Sequence, residues 1–391
     1  MSTGPVSTAV VLFAVFALNL GNITIHANLG LFGRSIGLSE FQAGVIVASS
    51  GLLFALTASR WGRFADERGR RPVILSGLVG GAVSLLLFGT LFTVKAGQVE
   101  VLTAFAGLLG ARIVYGLLCG GLYPAAVAHM ADVTTEHDRS AGAAMAGAAV
   151  GLATLVGPAL VVLTVGLGFA VAPLVGCALT VLAIPLVAVV PQARPRASAV
   201  RPATASTADG SGDRKMLRFL VLTFIFNFAF AGLQATNAFF VQDTLRVDTV
   251  EAVQRASLIS LAFAATSFTV QAFVVRALGW SPDRLLAVGL VLCAGACVAW
   301  LLAPGFAGLV AASAVMGAGF AGVQSGLTAG ASLAGGSDRQ GQIAGRLLAA
   351  TSAAWIVGPL AGTALYEAAM AGPLIVTAVA MAVALVVQRV G

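Results

Sequence analysis

Arg112 places a guanidinium inside an apolar run, Val101–Ala128. An arginine at the centre of a bilayer-spanning helix costs at least ~2.5 kcal/mol, so this side chain must face a cavity or a partner. Gly116 and Gly120 follow at i+4 and i+8 and give the same helix one face of small residues. Two roles fit the arginine: handling charge or protons, or tying helices together through carbonyls. A second group lies in the first apolar run, where Asn19, Asn22 and His26 share one helix face at i, i+3 and i+7. Amides in lipid need partners, so a cavity-lining stripe is expected. His26 is the one histidine inside a span. Its ordinary pKa of about 6.5 suits a proton carrier, and a hydrogen-bonded structural imidazole is the other reading.

The second half of the chain has its own polar stripe, Asn227, Gln234 and Asn237, in the seventh apolar run, with Gln271 and Gln324 as further candidates. Asn227 and Gln324 fit inter-helix hydrogen bonds as well as substrate contacts. Phe226, Phe230 and Trp355 lie near these amides and could stack on a flat substrate, or simply pack. All 15 acids fall in loops or at span ends, so Arg112 and His26 dominate the interior charge. Such an interior disfavours multivalent cations and favours neutral or anionic amphipathic molecules. Glu40 and Glu367, towards the outer side, are proton-carrier candidates or plain surface groups.

The elements that position these residues are membrane helices. Hydrophobic residues make up 59% of 391 and charged residues 9%, against about a quarter charged in soluble domains. The mean hydropathy is +0.98. Twelve apolar runs, from Ser7–Gly33 to Met370–Val387, are long enough to cross a bilayer. The 47 glycines suit close helix approach in lipid, and long Gly/Ala runs without alternation exclude an outer-membrane barrel. The N-terminal run is too long for a signal-peptide core and is read as a retained first helix. The four cysteines all lie in apolar runs, a pattern of packing and not of disulfides or metal ligands. No metal, cofactor, Walker loop or catalytic constellation is expected, which points away from ATP-driven transport and from enzymes.

The fold expected is an all-α membrane protein with twelve transmembrane helices in two pseudo-symmetric six-helix bundles. Residues 1–190 form the first bundle, 191–217 a Pro/Ala/Ser/Thr/Arg-rich cytoplasmic linker, and 218–391 the second. Gly157-Pro158 in the fifth run and Gly358-Pro359 in the eleventh are offset by the same interval as Arg139 and Gln340, which open those runs. This is the mark of a parallel repeat. Arg60, Arg63, Arg68, Arg70, Arg71, Arg139, Arg276, Arg284, Arg339, Arg389 and the basic residues of 194–218 fall on one side, against Arg34, Lys95 and Arg246 on the other, with Arg255 at a helix entrance there. That bias puts both termini in the cytoplasm. It also accounts for the net charge of +7 without nucleic acid.

The densest charge lies at Gly62-Arg63-Phe64-Ala65-Asp66-Glu67-Arg68-Gly69-Arg70-Arg71. Gly62 and Gly69 permit a tight turn there, and Asp66 is placed to accept from arginines or a helix N-terminus. The pattern Gly-x-x-x-Asp-x-x-Gly-Arg-Arg resembles the loop between the second and third helices of major facilitator superfamily transporters. Glu67 stands where relatives often have Arg or Lys. The resemblance implies a cytoplasmic latch, with Asp66 facing the start of the eleventh helix near Gly341 and Arg70 pairing with Asp132. Arg112-x-x-x-Gly116 resembles the fourth-helix motif of drug:proton antiporters, where the arginine is linked to proton movement. Gly147-x-x-x-Gly151 followed by Gly157-Pro158 partly resembles the fifth-helix antiporter signature, with Val161 and Val162 where glycines are expected. Gly358-Pro359-Leu360-Ala361-Gly362 fits that signature better. A kinked packing helix is the plain alternative for both.

The resemblance covers nearly the whole chain and is closest to bacterial twelve-helix drug:proton antiporters. It implies two bundles rocking around a mid-membrane site. The expected function is proton-coupled export of small lipophilic or anionic compounds, drugs or secreted metabolites such as siderophores, by a single chain in the bacterial inner membrane. The alternative is a proton-coupled uptake symporter for an organic anion. A non-transporting receptor or lipid-handling protein is the reading from another class.

Overall fold

The computed structural model describes residues 4–133, 139–190, 210–335 and 340–390. Of the sequence-predicted linker 191–217, residues 191–209 lie outside the described residues, and 210–217 are the first turns of a helix that runs on into the seventh span. Among the described residues, twelve helical spans are long and apolar enough to cross a membrane. The chain divides into two compact units, Met1–Ala199 and Val200–Gly391.

The N-terminal bundle contains α1 (Gly4–Ser35), α2 (Glu40–Arg68), α3 (Arg70–Leu91), α4 (Val101–Cys119), α5 (Leu122–Val133), α6 (Arg139–Thr164) and α7 (Val171–Ala188). The C-terminal bundle contains α8 (Gly210–Leu245), α9 (Thr249–Thr269), a π turn at Val270–Val274, α10 (Val275–Leu278), α11 (Pro282–Leu302), α12 (Phe306–Gly335), α13 (Gln340–Ala368) and α14 (Gly372–Val390). The same pairing recurs inside each. In the first, α1 packs on α6 and α7, α3 on α4 and α7, and α2 on α4. In the second, α8 packs on α13 and α14, α11 on α12 and α14, and α9 on α12. Span for span these are equivalent, so the repeat read from the Gly-Pro offset is a repeat of packing.

Local chemistry sets the helix ends. Ser39 and Gln42 form a reciprocal capping box at the start of α2. Asp248 accepts from the Glu251 amide ahead of α9, and Ser281 with Pro282 opens α11. The fourth span is two helices because Pro124, in the first turn of α5, has no amide hydrogen for the Gly120 carbonyl. The chain turns at Gly120-Gly121, and the indole of Trp61 donates to the Leu117 carbonyl at 2.8 Å, close to the broken turn.

The charged segment also differs from the turn expected of it. Helix α2 runs on to Arg68 and α3 begins at Arg70, leaving Gly69 alone as the connection at φ 92°. That conformation suits glycine. Gly62 lies inside α2 with open space beside it, so it plays no part in the turn.

Close backbone approach sits elsewhere. A Cβ on Gly362 of α13 would fall 2.4 Å from the Cα of Gly232 on α8. Small residues at such a crossing let the helices gain dispersion contacts that lipid does not supply.

Candidate functional site

Arg112 is 1% exposed, and two side chains of α1 hold it. Its Nη1 donates to Asn22 Oδ1 at 2.7 Å, and Nη2 lies 2.6 Å from His26 Nε2. The Tyr115 ring, one turn along α4, lies 5.0 Å from the guanidinium carbon. The arginine therefore ties α4 to α1 through side chains, not through carbonyls. Its Nε is buried without a hydrogen-bond partner.

The chemistry of this contact is asymmetric. Guanidinium nitrogens only donate, so His26 Nε2 must be the acceptor and the imidazole proton must sit on Nδ1. A proton on Nε2 and the bond to Arg112 exclude each other. His26 is exposed although Arg112 behind it is buried. A titratable ring thus touches a fixed cation while the residue keeps accessible surface.

The rest of the first stripe divides. Asn19 donates to the carbonyl of Val15 at 2.8 Å, within its own helix. Asn28 was not singled out in the sequence, yet it is 1% exposed and donates to the Phe169 carbonyl near the start of α7. The arginine motif glycines are packing positions: Gly116 lies against Leu53 and Gly120 against Phe54 and Thr57, all on α2.

In the C-terminal bundle, Asn227 is buried and donates to its own helix at Thr223. Asn237 donates to Ser260 Oγ on α9 at 3.1 Å. Gln234 is exposed and Gln324 half-buried, and neither has a hydrogen-bond partner among the described residues. Gln271 falls in the π turn and is exposed. Tyr366 of α13 donates to Asp243 of α8 at 2.5 Å, a contact the sequence reading missed. Its signal was an acid at a span end facing a helix with one tyrosine.

At the charged segment, Arg70 Nη1 binds Asp66 at 2.6 Å, an i,i+4 pair that bridges Gly69. The Asp66 side chain is 67% exposed. The Asp132 side chain lies outside the described residues. Arg71 donates to the Val190 carbonyl at 3.3 Å, just past the end of α7. Of the fifth-span glycines, Gly157 meets Ile23 of α1, whereas Gly147 and Gly151 face open space. Pro158 lies inside α6 and Pro359 inside α13. Gly358 packs on the backbone of Phe228.

Among the described residues, twelve apolar spans in two equivalent bundles, with one buried arginine held by α1, define a two-bundle membrane protein of the transporter type. The family model described as Major Facilitator Superfamily matches residues 10–359, and the chain belongs to that superfamily, one of transporters and not of enzymes. Multidrug resistance protein 2 of Bacillus subtilis is 28% identical over 149 residues, 38% of this chain and 34% of that protein. Quinolone resistance protein NorA of Staphylococcus aureus is 24% identical over 151 residues, 39% of this chain and 36% of its own length. The chain thus matches about a third of the length of these relatives. Among solved structures, the human organic anion transporter MFSD10 has a TM-score of 0.70 at 20% identity, covering 98% of this chain and 99% of its own. A D-xylose–proton symporter has a TM-score of 0.74 at 14% identity, covering 97% and 96%. Both show the shared fold.

Proposed function

We propose that this protein is a secondary active transporter that exports small lipophilic or anionic compounds in exchange for protons, by alternating access. The observation that carries the reading is the Arg112–His26–Asn22 contact. It supplies a titratable group and a fixed cation where no acid is at hand. His26 Nε2 is the point of competition: when neutral it accepts from Arg112 or from a substrate's N–H or O–H, and a proton arriving on that nitrogen displaces the substrate, as exchange requires. Asn19, Gln234, Asn237 and Gln324 contribute polar contacts to the substrate. The multidrug and quinolone resistance names of the relatives favour export and a drug-like substrate.

The chain acts as a single copy in the bacterial inner membrane with both termini in the cytoplasm, as its arginine distribution favours. Asp66 and Arg70, with Asp132, form the cytoplasmic latch. An exposed acid in the last turn of α2 opposes the helix dipole, so a role in switching gives a reason for its presence. Gly147, Gly151, Gly157, Pro158, Gly358 and Pro359 serve as the helix-kink positions.

The test is transport in inverted vesicles under an imposed pH gradient. Proton release coupled to substrate accumulation inside the inverted vesicle supports export. Substrate moving with protons in the same direction supports the alternative, an uptake symporter for an organic anion with Arg112 as the carboxylate ligand. The fold shared with a proton symporter is the observation in favour of that alternative.

A further inference from the structure

Five aromatic rings of the C-terminal bundle form one cluster. Phe230 of α8 is its hub, with ring centroids 6.1 Å from Phe226, 5.4 Å from Phe263, 4.6 Å from Phe320 and 6.3 Å from Trp355. Four helices contribute: α8, α9, α12 and α13. Phe230, Phe263, Phe320 and Trp355 each lie within one residue of the midpoint of their own span. The cluster is a layer at the middle of the membrane, the level at which transporters of this architecture bind substrate.

The layer is not closed. Phe226 and Phe230 are buried, but Phe263, Phe320 and Trp355 keep part of their surface accessible. Gln234 lies one turn beyond Phe230 on α8, and Gln324 one turn beyond Phe320 on α12. Consecutive spans alternate in direction, and α8 is the seventh span and α12 the tenth, so these two turns run opposite ways along the bilayer normal. One carboxamide therefore sits on each side of the ring layer. Both are without a hydrogen-bond partner among the described residues, and an amide in hydrocarbon needs one. No charged residue occurs within two helical turns of any of the four rings along its own helix.

We infer that this cluster is a subsite for an uncharged planar heteroaromatic group, stacked on Phe320 and Trp355 and hydrogen-bonded at opposite ends by Gln234 and Gln324. The inference rests on the transporter reading and names the substrate chemistry of one part of it. Rings stack on rings in offset or edge-on geometry. A carboxamide offers both donor and acceptor, so it accepts either a carbonyl or an N–H. With no charge within two turns of these rings on the four helices that carry them, selection there falls to shape and to the two amides.

Acridone is the probe, because it is planar and uncharged with a carbonyl and an N–H at opposite ends. Anthracene has the same outline and neither polar group. Binding of each to the full-length protein in lipid nanodiscs is read from ligand fluorescence anisotropy against empty nanodiscs. Saturable acridone binding is expected to weaken about fivefold in Gln234→Leu and again in Gln324→Leu, the loss of one ordinary hydrogen bond each. Anthracene binding is expected to stay within twofold in both, which also shows the variants are folded. Gln324→Met repeats the test with a flexible side chain. Absent saturable acridone binding, or equal loss of both ligands in the glutamine variants, overturns the subsite. Substrate-driven proton flux in proteoliposomes is measured separately: glutamine-dependent acridone binding without flux refutes the transporter reading and keeps the site.

Discussion

Nη2 of Arg112 lies 2.6 Å from Nε2 of His26, and the arginine behind that contact is buried while the histidine is exposed. The pair joins α4 to α1, and Asn22 accepts from the same guanidinium at 2.7 Å. The contact fixes the imidazole tautomer, since the guanidinium cannot accept. It also makes arginine binding and protonation competitors for one nitrogen.

Arg112→Ala is expected to abolish proton-driven transport while leaving a folded protein. The truncation removes two hydrogen bonds, each worth about 1–3 kcal/mol when a charged donor is involved, but it also removes the cost of keeping a cation in the span. The two terms oppose, so the thermal midpoint in detergent moves little. Arg112→Lys keeps the charge and loses the two-armed geometry, so transport is expected to be partial at best. Full proton-driven flux in Arg112→Ala proteoliposomes would remove the arginine from the mechanism.

His26→Gln keeps an acceptor for Arg112 and removes the titratable ring. The expected result is a split: substrate exchange down its own gradient persists, and uphill transport driven by a pH gradient is lost. The pH dependence of exchange is expected to flatten. A variant that still couples to protons would mean that another group, such as Glu40 or Glu367, carries them.

Gly362→Ala is expected to destabilise the C-terminal bundle. The added methyl would sit 2.4 Å from the Cα of Gly232, so the crossing of α8 and α13 has to open. Overpacking of this kind costs typically 1–3 kcal/mol. Gly147→Ala is the control, because nothing lies within 4 Å of its added carbon. Thermal unfolding followed by size exclusion in detergent should separate the two. Equal midpoints would mean that α8 and α13 shift apart without loss.

Much of this was legible in the sequence, for physical reasons that differ by residue. Span number follows from hydropathy, since lipid forces every backbone group into a helix. That Arg112 required a partner was legible too. Which partner was not: Asn22 is ninety residues away, and only the register of α1 against α4 brings it within reach. The break at Gly120-Gly121 was available from Pro124, whose missing amide hydrogen was overshadowed by the glycine pattern. That Asn19 spends its amide donor on its own helix was not legible, because a shared helix face does not show where a short polar side chain turns. Gly62 misled for a related reason: a glycine near charge suggests a turn, yet α2 runs through it.

Asp66→Asn tests the latch. The carboxylate pairs with Arg70 at 2.6 Å across Gly69, but its side chain is 67% exposed. A solvent-exposed pair contributes about 0–1 kcal/mol to stability, and the asparagine relieves an acid at a helix C-terminus. The fold should therefore tolerate the change with little shift in thermal midpoint. Transport, in contrast, is expected to slow severalfold, with acridone binding in nanodiscs unchanged. Arg71→Ala provides the comparison, since Arg71 donates to the Val190 carbonyl and holds α3 to the end of α7. That variant should lose stability as well as rate. If Asp66→Asn leaves the transport rate intact, the segment from Gly62 to Arg71 is a topology signal whose charge keeps it on the cytoplasmic side, and the switch lies elsewhere in the molecule.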